Sequence, residues 1–263
     1  MSDPILHRED TGPVACLTLN NPAKLNPLSD AMLAALTATF DDLRADGAIR
    51  AVVIRGAGKA FCAGHDLREM TAGRQAEDGG RAYFADLFAR CSVVMAGIRD
   101  LPQPVIAEVH GIATAAGCQL VASCDMAVAA TGTRFRVNGV TIGLFCSTPM
   151  VALSRNIPRK RAFEMLVTGD FITAETALEL GLVNHVVPEN ALRQTTDALA
   201  ARCAEKLGAA VRIGKKAFYA QAEMGLDAAY AYVGEVMVEN MLYAETEKGI
   251  AAFLNKETPV WDQ

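Results

Sequence analysis

His110-Gly111-Ile112-Ala113-Thr114-Ala115-Ala116-Gly117-Cys118-Gln119-Leu120 carries the chain out of an apolar stretch, Pro104-Val105-Ile106-Ala107-Glu108-Val109, through small residues and into helix-forming sequence. Small residues at such a corner let a ligand approach the backbone. The first turn of a helix has N–H groups without internal partners and lies at the positive end of the helix dipole. The amide near Ala116 is therefore placed to donate to a developing oxyanion. Close packing of a helix on a strand favours the same small residues, so this stretch alone leaves both readings open.

Working outward, Ala60-Phe61-Cys62-Ala63-Gly64-His65-Asp66-Leu67-Arg68-Glu69-Met70 repeats the arrangement. It follows the apolar run Ala51-Val52-Val53-Ile54-Arg55-Gly56 and opens a helix, with Gly64 at the bend. Asp125-Met126-Ala127-Val128-Ala129-Ala130 reads as a further short buried strand. Upstream, Val14-Ala15-Cys16-Leu17-Thr18-Leu19, ending at Asn20-Asn21-Pro22, suggests an initial hairpin. Ser29 or Asp30 caps a helix whose Met32, Leu33, Leu36, Phe40 and Leu43 share one face. This alternation of strand and helix predicts an α/β fold. It is not a dinucleotide fold, because Phe61 stands where the third glycine after Gly56 and Gly58 belongs. It is not a phosphate loop either, because Gly58-Lys59 is followed by Ala60. Past Thr173 the chain reads as almost continuous helix, and a boundary is placed near 200, dividing a core of residues 1–200 from a helical region of 201–263. Val211, Phe218, Tyr230, Val233, Val236 and Met237 lie in that region on helices with little core of their own, which predicts packing on another subunit. Thr71 to Gly80 reads as a mobile surface loop.

The 263 residues suffice for one large α/β domain or one with a helical appendage. A net charge of −5 with scattered Lys and Arg offers no footprint for nucleic acid, so small molecules are the expected partners. No apolar run approaches the roughly 20 residues that cross a bilayer. Met1-Ser2-Asp3-Pro4 opens neither a secretory signal nor an arginine-rich presequence, which predicts a cytoplasmic location. Seven cysteines without a C-x-x-C pair read as buried, reduced thiols.

Three stretches in order, Ala63-Gly64-His65-Asp66-Leu67, then Gly111 to Gln119 with Cys124-Asp125, then Leu166-Val167-Thr168-Gly169-Asp170, resemble successive signatures of the crotonase superfamily, also called the enoyl-CoA hydratase/isomerase family. The resemblance extends from about Val14 to Trp261. More narrowly, Ala113 to Asp125 and Gly143 to Pro149 resemble the enoyl-CoA hydratase domain-containing protein three branch. The resemblance implies an α/β spiral of repeated ββα units with C-terminal helices that assemble trimers or hexamers. It implies an acyl-CoA ligand, coenzyme A entering as part of the substrate and no cofactor being held permanently. Position by position, it implies that the backbone amides of His65 and Ala116 form an oxyanion hole for the thioester carbonyl. Lys24 and Leu25 would border the coenzyme, Ala63, Asp66 and Leu67 would frame its adenine, and Phe253 and Lys256 would approach from a C-terminal helix. Lys24 and Lys256 also read as solvated surface charges.

The chain departs from the pattern at the acid/base positions. Hydratases of the family use two glutamates, because adding water across a double bond needs a base for the water and an acid for the α-carbon. Those positions are Gln119 and Gly139 here, and an amide and a glycine exchange no proton near neutral pH. Restoring both glutamates is expected to raise hydration. The family's dehalogenases place an aspartate nucleophile where Ser147 stands and a tryptophan where Gly139 stands. A Ser147 nucleophile with His65 as base remains an option. His110 reads as a hydrogen-bonded loop residue, and Glu108 is the one carboxylate near the site in sequence, its facing open. Three functions follow: an enzyme that stabilises a thioester enolate with an unidentified acid/base, a catalytically silent acyl-CoA-binding or regulatory protein, or a trimeric scaffold.

Overall fold

A computed structural model describes residues 3–261, so Met1 and Ser2 of the N-terminal reading lie outside the described residues. The strands are β1 (Leu6–Thr11), β2 (Val14–Leu19), β3 (Ala51–Gly56), β4 (Val105–Val109), β5 (Ile112–Thr114), β6 (Met126–Ala130), β7 (Arg134–Arg136), β8 (Ile172–Thr173) and β9 (His185–Val187). The helices are α1 (Asp30–Ala45), α2 (Leu67–Gly73), α3 (Arg81–Asp100), α4 (Ala116–Ser123), α5 (Ser147–Asn156), α6 (Arg159–Thr168), α7 (Ala174–Leu180), α8 (Glu189–Ala204), α9 (Gly208–Gln221), α10 (Leu226–Met241) and α11 (Ala244–Leu254). None of them is long and apolar enough to cross a membrane.

A six-stranded sheet runs β1-β2-β3-β4-β6-β9, parallel throughout except for the β1–β2 hairpin, and β5, β7 and β8 form a small second sheet. The α/β expectation holds. The unit repeated along the chain is strand, short second strand, helix. It is seen in β4-β5-α4, and in β3-α2, where the second strand shrinks to one bridge at Cys62 against Ala113.

Alternation along each strand sends Val52, Ile54, Val105, Ala107 and Val109 to the face covered by α1 and α3, where Leu36, Phe40, Leu87 and Val94 complete the main core. Ala51, Val53, Ile106 and Val128 face the other way, under Leu192, Ala200 and Ala204 of α8. Parallel strands covered on both faces are apolar throughout, which is why β3, β4 and β6 read so clearly. Ser29 caps α1, its hydroxyl accepting from Met32 N at 3.2 Å.

Position 200, placed as the boundary, lies inside α8, whose last turn still covers the sheet. Thr71 to Gly73 belong to α2, and the turns of the expected loop follow them. All seven cysteines are free and five are buried. Burial pushes the Cys62 and Cys118 thiols up to about 12, so they stay protonated.

Candidate active site

The site grows from two segments that run side by side before each turns into a helix. Thr114 N donates to Cys62 O at 3.0 Å, Cys62 N to Ile112 O at 3.3 Å, and the Thr114 hydroxyl to Ala63 O at 2.9 Å. At the end of this ladder Gly64 has φ +92, and a Cβ there would stand 3.0 Å from Thr114 O and 3.3 Å from Ala116 N. Only glycine lets the two corners approach so closely. Gly117, the second residue of α4, serves the same end from the facing segment, since a Cβ on it would meet Cys62 O at 2.2 Å. Between them Ala115 is held at φ 50, ψ −118, a region costly for a residue with a side chain.

The outcome is two backbone amides in adjacent corners. Leu28 N donates to Gly64 O at 2.8 Å, so Leu28 occupies one edge of the 62–65 segment and the His65 amide faces the opposite edge, where α4 begins. Ala116 is the first residue of α4 and has no capping side chain before it. Among the described residues, neither amide finds an acceptor.

A third segment closes the corner. Leu25 and Asn26 both take left-handed backbone, which places Leu25 O to accept from Ala63 N at 3.0 Å. The fully buried Asn26 amide donates to Ala57 O and Ala60 O at 2.8 Å each. Asp66 caps α2 through Arg68 N at 2.9 Å and meets Lys24 Nζ at 3.0 Å. Burial works to raise the Asp66 carboxyl, but Lys24 and the helix amides outweigh it and hold the group below the usual carboxylate range. Lys24, Leu25, Ala63, Asp66 and Leu67 thus form one patch. Phe253 is 81% exposed on α11, and no hydrogen bond or ion pair of the described residues ties it or Lys256 to that patch.

The family model for enoyl-CoA hydratase/isomerase matches residues 9–263. The chain belongs to the enoyl-CoA hydratase/isomerase family. Within it, the human protein named "Enoyl-CoA hydratase domain-containing protein 3, mitochondrial" is 46% identical over 245 residues, 93% of this chain and 79% of the human one. The crystal structure of that human protein superposes with a TM-score of 0.93 at 44% identity, covering 98% of this chain and 100% of the other. An enoyl-CoA hydratase structure from Mycobacterium smegmatis gives 0.95 at 52% identity, covering 99% of this chain and all of the other. The 2,3-dehydroadipyl-CoA hydratase of Escherichia coli is 32% identical, with 98% of each chain covered. The fold is the crotonase spiral, and the chain lies in the domain-containing protein three branch. The expected cytoplasmic location is corrected by these relatives, since those of human, Xenopus laevis and rat are named mitochondrial. An address is read by a receptor from sequence that the fold does not use, so the first few residues were no guide to it.

Gln119 and Gly139, which the sequence resemblance sets at the acid/base positions, have surroundings of their own. Gln119 is 4% exposed, one turn beyond Ala116, and its Oε1 is buried without a partner among the described residues. Gly139 donates to Cys146 Sγ at 3.2 Å and its carbonyl accepts from Leu144 N at 2.9 Å. A Cβ on Gly139 would stand 2.1 Å from Leu144 O. Its φ is not left-handed, so this glycine answers to space and not to backbone strain.

Ser147 is exposed, with its hydroxyl 3.4 Å from Phe145 O, and no hydrogen bond joins it to His65. His65 Nδ1 lies instead 3.2 Å from Leu28 O. Glu108 points under α8, on the face away from the oxyanion corner, where Arg193 Nε comes within 3.2 Å of it. His110 Nε2 lies 2.8 Å from Gly58 O, a loop contact. Asn26, Leu28 and Cys146 were missed in the sequence. Asn26 alone left a signal, as a residue type that tolerates left-handed backbone.

Proposed function

We propose that this family member binds acyl-CoA thioesters with the carbonyl oxygen between His65 N and Ala116 N, polarises it toward an enolate, and hydrates enoyl thioesters slowly or not at all. The observation that carries this reading is the pair of unpartnered amides in adjacent corners, donors aimed where charge develops. The coenzyme lies along Lys24, Leu25, Ala63, Asp66 and Leu67, with Phe253 and Lys256 closing on it in a trimer or hexamer. A pure scaffold has no use for two adjacent donors left open. A silent acyl-CoA-binding protein is the second reading, favoured by the missing carboxylates at Gln119 and Gly139.

A ligand that binds only the native state stabilises it by RT ln(1 + [L]/Kd). Millimolar acetyl-CoA or butyryl-CoA should raise the melting temperature, and NADH should not. No thermal shift and no calorimetric heat with any thioester would end the claim. The conjugated enoyl absorbance of crotonyl-CoA should fade slowly at best, because positioned acid/base groups are worth about 10²–10⁴-fold. Hydration at the rate of an efficient hydratase would show that another acid/base pair operates.

A further inference from the structure

We infer that the His65 side chain is the acid/base group of this site, with Nε2 taking a proton from the α-carbon of a thioester held by the His65 and Ala116 amides. The inference rests on the thioester reading above. Its basis is geometric. Leu28 O can only accept, so the 3.2 Å contact assigns the ring hydrogen to Nδ1 and leaves a lone pair on Nε2. Nε2 is itself buried and without a partner among the described residues.

The two nitrogens of an imidazole project in nearly opposite directions. With Nδ1 turned to Leu28 O, Nε2 projects from the other side of the ring. Phe88 of α3 holds the ring edge-on at 5.9 Å and is itself stacked on Phe84.

The charges around the ring leave it a base. Asp30 at the start of α1 is paired with Arg90 of α3 at 2.7 Å, and Glu69 of α2 accepts from Asp30 N at 2.8 Å. Burial lowers the imidazole from its ordinary 6.5, against the pull of Leu28 O and Asp30, so it is neutral at physiological pH. One residue then supplies both functions: its amide receives the oxyanion and its ring receives the proton.

The step balances without a co-reactant. The α C–H bond breaks, its proton goes to Nε2, and its electron pair forms the C=C bond of the enolate while the carbonyl π pair moves onto oxygen. The imidazolium returns that proton, or one exchanged with solvent. With no second substrate the net result is exchange of α-hydrogens.

The full-length chain is therefore incubated with butyryl-CoA or phenylacetyl-CoA in deuterium oxide, and α-deuteration is followed by mass spectrometry. Incorporation should exceed that in buffer, rise with pH as the imidazole loses its proton, and level off by about neutral pH. His65→Gln keeps the backbone donor. It should lower exchange by about 10²-fold, far more than it lowers affinity. If that variant does not fold, the wild-type pH profile decides, and a rate that does not change between about pH 5 and about pH 8 overturns the inference. Thioester binding without deuteration above buffer also overturns it, as does exchange that survives His65→Gln. Failure of any thioester to bind would instead overturn the functional reading beneath it.

Discussion

At the scale of single residues, Gly139 decides whether hydratase chemistry can be restored. From sequence, adding a glutamate there together with Gln119→Glu is expected to raise hydration. The structure withdraws that expectation unless the loop moves, because the first side-chain atom would lie 2.1 Å from Leu144 O and 2.8 Å from Cys146 Sγ. Even Gly139→Ala should cost about 1–3 kcal/mol, the usual price of overpacking, read as a lower midpoint in urea. Unchanged stability would show that the 139–146 loop yields easily. Gln119→Glu fits by size, but it places a carboxyl where the amide already lacks a partner, so it should destabilise the chain at neutral pH more than in acid. The need for glycine at 139 was not legible in the sequence, since it arises from a carbonyl five residues away that folds back over it.

At the scale of elements, two buried charges set how helices sit on the sheet. Glu108 on β4 is 5% exposed beneath α8, and burial, opposed by Arg55, pushes its carboxyl up to about 7 from 4.5. A raised acid is fully compatible with the fold below its unfolded pKa. As pH rises from about 4.5 to about 7 the unfolded chain releases the proton before the native one, so stability falls across that window and stays lower above it. Glu108→Gln should therefore raise stability at about pH 8 by on the order of 2 kcal/mol, read as a higher melting temperature, and change it little at about pH 4. A variant less stable at the higher pH would show that the Arg193 contact outweighs burial. On the opposite side, Lys215 of α9 reaches Asp125 at 2.6 Å, Ile98 O at 2.8 Å and Gln103 O at 2.9 Å. Asp125 also accepts from Val105 N at 2.6 Å and from the Tyr219 hydroxyl at 2.7 Å. The network, centred on Asp125 just after α4, ties α9 to the start of β4. Lys215→Met should cost about 3–5 kcal/mol by leaving Asp125 without its cation, and should speed amide exchange in α9 before the sheet. Exchange accelerated evenly across the chain would argue against a local tie.

At the scale of the whole molecule, α10 and α11 leave Leu226, Tyr230, Met237, Leu242, Phe253 and Leu254 exposed. So many exposed large apolar side chains in one region are unusual for a monomer and motivate the proposed trimer or hexamer. Light scattering should return a multiple of three chains, and a monomer mass would overturn the assembly. A truncation that tests the helical region belongs after Ala204, where α8 ends, because cutting at 200 would strip the last turn from the second core. The shortened chain should be insoluble or fail to bind thioesters.

The sequence by itself determined the strands Ala51–Gly56, Val105–Val109 and Met126–Ala130, the capped helix after Ser29, and the two small-residue corners at Gly64 and Ala116. Each of these is written in neighbouring residues, through period, capping or the absence of bulk. The family was legible for the same reason, since its signatures lie at those corners. Only the tertiary structure decided that Gly64 abuts Ala116, that Glu108 turns away beneath α8, that Ser147 faces solvent, and that Leu28 O orients the His65 ring. Those outcomes depend on segments that are distant in the chain and adjacent in space, whose meeting is fixed by sheet order and packing and leaves no periodic trace in either segment alone.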